Sequence, residues 1–107
     1  MMIIDLLYFD DCPSWEKVMA DLETIQKEGS LEFSIHLLNM KSDEEASRLK
    51  FLGSPSIQIN GIDLWPEDRP SYAMNCRMYQ TADGLKGWPT LDMIRQKLIE
   101  RSKASGY

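Results

Sequence analysis

Apolar and polar positions change period several times along this chain, and each change marks an element. Residues 3–9, Ile-Ile-Asp-Leu-Leu-Tyr-Phe, form a nearly continuous apolar run, the pattern of a strand covered on both faces; a strand is expected over residues 2–9. From Pro13 to about Glu28 the period lengthens. Val18, Leu22 and Ile25 fall at i, i+4 and i+7 among charged residues, which is one buried helical stripe, and Gly29 is its stop. Residues 31–38 then alternate, Phe33, Ile35 and Leu37 against Glu32, Ser34 and His36, so a second strand is expected with one face half exposed. Ser42-Asp43-Glu44-Glu45 has the spacing of a capping box and opens a short helix ending near residues 51–53. Residues 57–64 are two alternating runs around Asn60-Gly61, a strong hairpin signal. Leu91, Ile94 and Leu98, with Ile99 beside them, put one apolar side on a last helix beginning at residues 90–93.

The expected order is β-α-β-α-β-β-α, an α/β fold with a mixed four-stranded sheet flanked by helices. The first two crossovers suit parallel strands, and the tight turn makes the last pair antiparallel. Residues 65–88 interrupt the pattern: Pro66, Pro70, Gly84, Gly87 and Pro89 punctuate or border them and no periodicity is sustained. A structureless loop this long is uncommon in a small domain unless it carries function, and Cys76 lies in it.

Length and charge narrow the function classes. At 107 residues the chain is expected to be one domain, residues 1–107, with a single core. The formal charge of −5, with no Lys/Arg cluster, speaks against a nucleic-acid partner or a polybasic membrane patch. No apolar run approaches a spanning helix and the first residues lack signal-peptide features, so a cytoplasmic address is expected. Two cysteines in such a reducing compartment suit catalysis, redox sensing or metal binding better than a structural staple.

Cys12 is where chemistry is expected. In Phe9-Asp10-Asp11-Cys12-Pro13-Ser14-Trp15 it stands between the first strand and the first helix, at the expected N-cap, where orphan amides and the helix dipole favour a thiolate. Pro13 suits helix entry, because its missing N–H is one the helix would leave unpaired. Asp10 and Asp11 oppose that effect with negative charge. The position three after Cys12 is Trp15, so a local Cys-x-x-Cys dithiol is absent. The plain alternative is an idle buried cysteine.

This order, with Cys-Pro at the first strand-helix junction and Gly53-Ser54-Pro55-Ser56-Ile57 before the third strand, resembles the thioredoxin fold. Leu-Tyr-Phe-Asp-x-Cys-Pro, Arg-Leu-x-Phe-Leu-Gly-Ser-Pro-Ser-Ile and Cys-Arg-x-Tyr together resemble a family of small bacterial thioredoxin-like proteins, some of which carry selenocysteine at the position of Cys12. The resemblance spans most of residues 3–100. It implies redox chemistry at Cys12 and a cis peptide at Ser54-Pro55 that turns the Ser54 backbone toward Cys12; the alternative is a trans proline that starts an edge strand. The absent second cysteine departs from thioredoxin itself and weakens the case for general disulfide reductase activity.

The expected function is therefore a thiol-dependent redox protein, a disulfide or peroxide-type oxidoreductase, acting on a thiol or disulfide substrate, protein or small molecule. Cys12 would be the nucleophile, alkylated first near neutral pH, and Cys76, on a movable loop, the resolving thiol that condenses with a Cys12 sulfenic acid. Pro55 would complete the catalytic set. Ser54, Trp15 and Arg77 would contact substrate, Arg77 by stabilising a thiolate or anion; the plain alternatives are a surface ion pair for Arg77 and a satellite core for Trp15, Trp65, Trp88, Tyr72 and Tyr79. His36 is expected at the surface. No cofactor and no metal site are expected. Two readings from other classes stay open: a soft-metal or organometal thiolate module using Cys12 and Cys76, and a redox-inactive thioredoxin-like interaction domain.

Overall fold

The amino-terminal apolar run becomes β1 (Met2–Tyr8), an interior strand whose successive side chains enter two different cores. In the computed structural model, which describes residues 2–104, Ile4 and Leu6 join one core while Leu7 and the following Phe9 join another, the period-two alternation of a strand. After β1 come α1 (Trp15–Glu28), β2 (Phe33–Asn39), α2 (Asp43–Arg48), β3 (Ser56–Ile59), β4 (Ile62–Asp63), β5 (Tyr79–Thr81), β6 (Gly84–Lys86) and α3 (Leu91–Ala104). The main sheet has the order β2-β1-β3-β4. An α/β fold with a mixed four-stranded sheet and three helices is thus what the chain forms.

The larger core lies on the face covered by α1 and α3. Val18, Leu22 and Ile25 from α1 meet Ile94 and Leu98 from α3 over Ile4, Leu6, Ile57 and Ile59, the residues that the helical and strand periods place on facing sides. A bidentate pair ties the two helices at their rim: Arg95 Nε and Nη2 donate to the Glu28 carboxylate at 3.0 and 2.6 Å. The hydrogen bond from Arg95 holds the Glu28 carboxyl below its usual range. The smaller core, on the opposite face, gathers Leu7, Phe9, Cys12, Met40, Ala46 and Phe51. Cys12 therefore sits between the sheet and α2.

Local signals hold well. The Ser42 hydroxyl accepts from Glu45 N–H at 3.2 Å, and the Glu45 carboxylate accepts from Lys41 N–H at 3.2 Å, so the capping box closes with its return bond one residue early. Ser42→Ala is expected to lower the unfolding free energy by about 1 kcal/mol, which denaturant titration would read; no change would mean the cap contributes nothing. Asn60 and Gly61 have φ of 55° and 79°, the left-handed pair that a two-residue hairpin turn requires.

Three expectations change. First, β2 is parallel to β1, but β3 is antiparallel to it, so the second crossover is not a parallel one. Its reason is reach: β2 ends beside Tyr8 and β3 begins opposite Leu7, at the same end of the sheet. The connection's only helix has six residues, about 9 Å at 1.5 Å per residue, and the chain re-enters the sheet at the end where it left it. Second, residues 65–88 are not wholly irregular, since β5 and β6 form a separate two-stranded antiparallel sheet. Third, α1 begins at Trp15 with Ser14 as its N-cap, which puts Cys12 two residues before the cap. The final helix likewise starts one residue late, after Thr90, whose hydroxyl accepts from Met93 N–H.

Candidate thiol site

Cys12 leaves the end of β1 in a tight turn, its N–H donating to the Phe9 carbonyl at 3.2 Å. Its partner comes from the long segment between β4 and β5. Cys12 and Cys76, 64 residues apart, are joined in a disulfide with a Cα separation of 6.0 Å, inside the range that bridging allows. Environment divides the two residues: Cys12 is 3 % exposed and packed in the smaller core, while Cys76 is exposed.

The segment carrying Cys76 is held by Ser54. Ser54 N–H donates to Asn75 O at 2.8 Å, and Arg77 N–H donates to Ser54 O at 2.9 Å, so Ser54 and Cys76 face each other in a parallel β-bridge. The Ser54-Pro55 peptide is cis. Ser54 is buried, its hydroxyl accepts from Phe9 N–H at 3.4 Å, and the Pro55 carbonyl accepts from the Tyr79 hydroxyl at 2.5 Å. Gly53, before this turn, has φ +117°, and a Cβ there would stand 2.9 Å from Arg77 Cβ and 3.1 Å from Asn75 O. Both the backbone conformation and the close approach need glycine. Gly53→Ala is expected to cost about 1–3 kcal/mol and to shift the dithiol–disulfide balance toward dithiol, measured by denaturation and by thiol titration in a glutathione buffer. Unchanged values in both would show that the strap does not depend on this approach.

Arg77 departs from its expected role. Its side chain is 3 % exposed and turned away from solvent. Nη1 donates to Asp63 Oδ2 at 2.8 Å and Ser56 Oγ at 3.1 Å, Nη2 donates to Trp65 O at 2.8 Å, and the guanidinium lies 4.6 Å over the Tyr79 ring. It is a buried anchor for the strap, with both Nη atoms donating to groups of the protein. Burial raises the Asp63 carboxyl above its usual range, with the Arg77 charge pulling it back down; burial also pushes the Tyr79 phenol up, keeping it a donor to Pro55. Among the described residues no buried side-chain nitrogen or oxygen lacks a partner. Asp63 was not among the residues singled out in sequence, and Tyr79 was named only as one of a group of aromatics. The available signal was a single acid in the alternating run after Asn60-Gly61.

The aromatic candidates pack on the two cores. Trp15 is half buried, stacked on Tyr8 with ring centroids 4.2 Å apart, and Trp15, Trp65 and Trp88 all pack against the larger core. Trp65 meets Tyr79 edge to face at 5.4 Å. Tyr72 and Met74 cover the smaller core beside Cys12. His36 is exposed, 3.6 Å from Asp5 across β1 and β2. Cys76 itself is not on a free loop: the β-bridge and Arg77 pin it on one side, and Met74 N–H donates to Asp43 Oδ1 at 3.1 Å on the other. An open hollow of about 200 Å³ lies next to the strap, lined by Phe9, Asp10, Asp11, Asn39, Lys41 and the two methionines Met40 and Met74.

Chemically, a disulfide accepts two electrons and two protons to become two thiols. Among the described residues no group of three or more His, Cys, Asp or Glu side chains is placed to hold a metal ion, and no helix is long and apolar enough to cross a membrane. No family model, no curated protein and no solved structure matches this chain.

Proposed function

We propose that this chain is a thiol–disulfide redox protein of thioredoxin-like architecture, with Cys12 and Cys76 as its working pair and a thiol or disulfide, on a protein or a small molecule, as its substrate. One observation carries the reading: a disulfide that spans 64 residues closes at the strand-helix junction, with one of its two cysteines exposed. A staple needs only burial and good geometry, whereas an exchanging pair needs a sulfur that another thiol can reach. The setting we assign is the cytoplasm, where a reducing thiol pool would return the pair to the dithiol state after each turnover.

The test is reversibility within the native fold. Equilibrated in glutathione redox buffers, the chain is expected to interconvert between disulfide and dithiol as a single two-electron couple, keeping its far-UV and near-UV circular dichroism in both states. Peroxide added to the dithiol form should regenerate a monomer lighter by two hydrogens. A disulfide that reduces only in denaturant would be a staple, and the redox reading would fall.

A further inference from the structure

We infer that Cys76 is the sulfur through which this protein exchanges with external thiols and that Cys12 is the buried resolving sulfur, the reverse of the order that the helix-entry position of Cys12 suggests. The inference rests on the redox reading above. Its physical basis is the line of attack. A thiolate displaces one sulfur of a disulfide by approaching the other from the side opposite the bond, so the attacked sulfur must be open on its far side. Around Cys12 that space is occupied: the residue is 3 % exposed and packed with Leu7, Phe9, Met40, Ala46 and Phe51. Cys76 is exposed, as is its neighbour Asn75. Charge acts in the same sense, because the exposed Asp10 and Asp11 stand directly before Cys12 and repel an incoming anion.

The step balances as follows. A thiolate RS⁻ attacks Cys76 Sγ, the Cys12–Cys76 bond breaks, and Cys12 departs as a thiolate that takes a proton from solvent, leaving R–S–S–Cys76. A second thiolate attacks the R sulfur of that mixed disulfide, releasing R–S–S–R and the Cys76 thiolate, which is protonated in turn. Two thiolates have been oxidised and the protein pair reduced. By microscopic reversibility the dithiol form reduces a substrate disulfide through the same intermediate: Cys76 attacks first and Cys12 then attacks Cys76 Sγ, expelling the second substrate thiolate. The strap makes that second step intramolecular, since the two backbone hydrogen bonds of Ser54 to Asn75 and Arg77 hold the Cys76 segment beside Cys12 independently of the sulfur–sulfur bond's own atoms. Proximity of this kind speeds resolution.

The experiment uses the whole oxidised chain with reduced glutathione as the probe. Aliquots are quenched in acid at early times, free thiols are alkylated, and the modified peptides are mapped by mass spectrometry. Glutathione is expected on Cys76 and the alkyl label on Cys12. The reduced Cys12→Ser and Cys76→Ser chains provide an independent rate comparison against oxidised glutathione, with Cys12 in the second reacting about tenfold more slowly than Cys76 in the first, because access governs the exchange rate. Glutathione on Cys12 with the label on Cys76, or an even split, overturns the assignment and leaves the redox pair standing. If glutathione joins neither cysteine unless the chain is denatured, the redox reading and this assignment fail together.

Discussion

Reduction of the Cys12–Cys76 bond is expected to lower the unfolding free energy by about 4 kcal/mol, the chain-entropy value for a closed loop of this size, given a sequence separation of 64. The loop holds more than half of the chain, including β2, α2, β3 and β4, so releasing it lets the unfolded ensemble expand where the folded one hardly changes. The cycle has a redox counterpart. Whatever the disulfide adds to folding, folding adds to the disulfide, and about 4 kcal/mol makes the two thiols roughly a thousandfold more prone to pair in the native chain than in the unfolded one. Guanidinium titrations of the oxidised and reduced chains would give the first quantity, and glutathione equilibration with and without denaturant the second. Equal stabilities in the two states would show that the native strap does not hold the sulfurs together, and the proposed pair would lose its basis.

That strap also marks the boundary of what could be read beforehand. Features that depend on neighbours in the chain were legible: the apolar run of β1, the α1 stripe at Val18, Leu22 and Ile25, the Ser42 cap and the Asn60-Gly61 turn all follow from periods and backbone preferences. The cis peptide at Ser54-Pro55 was legible only through resemblance. What failed depends on distant partners. The direction of β3 is decided by where a short connection lets the chain re-enter the sheet. Ala82-Asp83, which turns β5 into β6 ahead of Gly84, joins strands of three residues each, too short to show alternation. The burial of Cys12 comes from packing with Leu7, Met40, Ala46 and Phe51, which separate stretches of the chain bring together, and no local pattern records that. Arg77 reads from sequence as a contact to a thiolate or substrate anion because nothing near it in sequence reveals Asp63.

The pair Arg77–Asp63 is expected to respond to substitution asymmetrically. Both side chains are almost fully buried, at 3 % and 4 % exposure, so removing either leaves a charge without its partner, typically a loss of about 3–5 kcal/mol. The two orphans have different escapes. Arg77 cannot shed its proton in a protein; in Asp63→Asn the guanidinium stays charged and keeps only Ser56, Trp65 O, the Tyr79 face and the exposed Glu67 at 3.6 Å. Asp63, already raised by burial and held down by Arg77, can take up a proton once Arg77 is gone. Asp63→Asn should therefore destabilise more than Arg77→Met at neutral pH. The sign of the pH dependence follows. In Arg77→Met the native Asp63 binds its proton more readily than the unfolded chain does, so stability from this group is present at low pH and lost as pH rises through the raised native value. The deficit of Arg77→Met relative to the parent chain should accordingly shrink as pH falls from neutrality, while that of Asp63→Asn should not. Arg77→Met should also move the glutathione equilibrium toward dithiol, because on that side Cys76 then hangs on the Ser54 bridge alone. Denaturation at several pH values, with thiol titration on the same samples, checks each statement. If the two variants lose equal stability at every pH and pair their sulfurs as the parent does, Arg77 is neither a charge held by Asp63 nor the anchor of the strap.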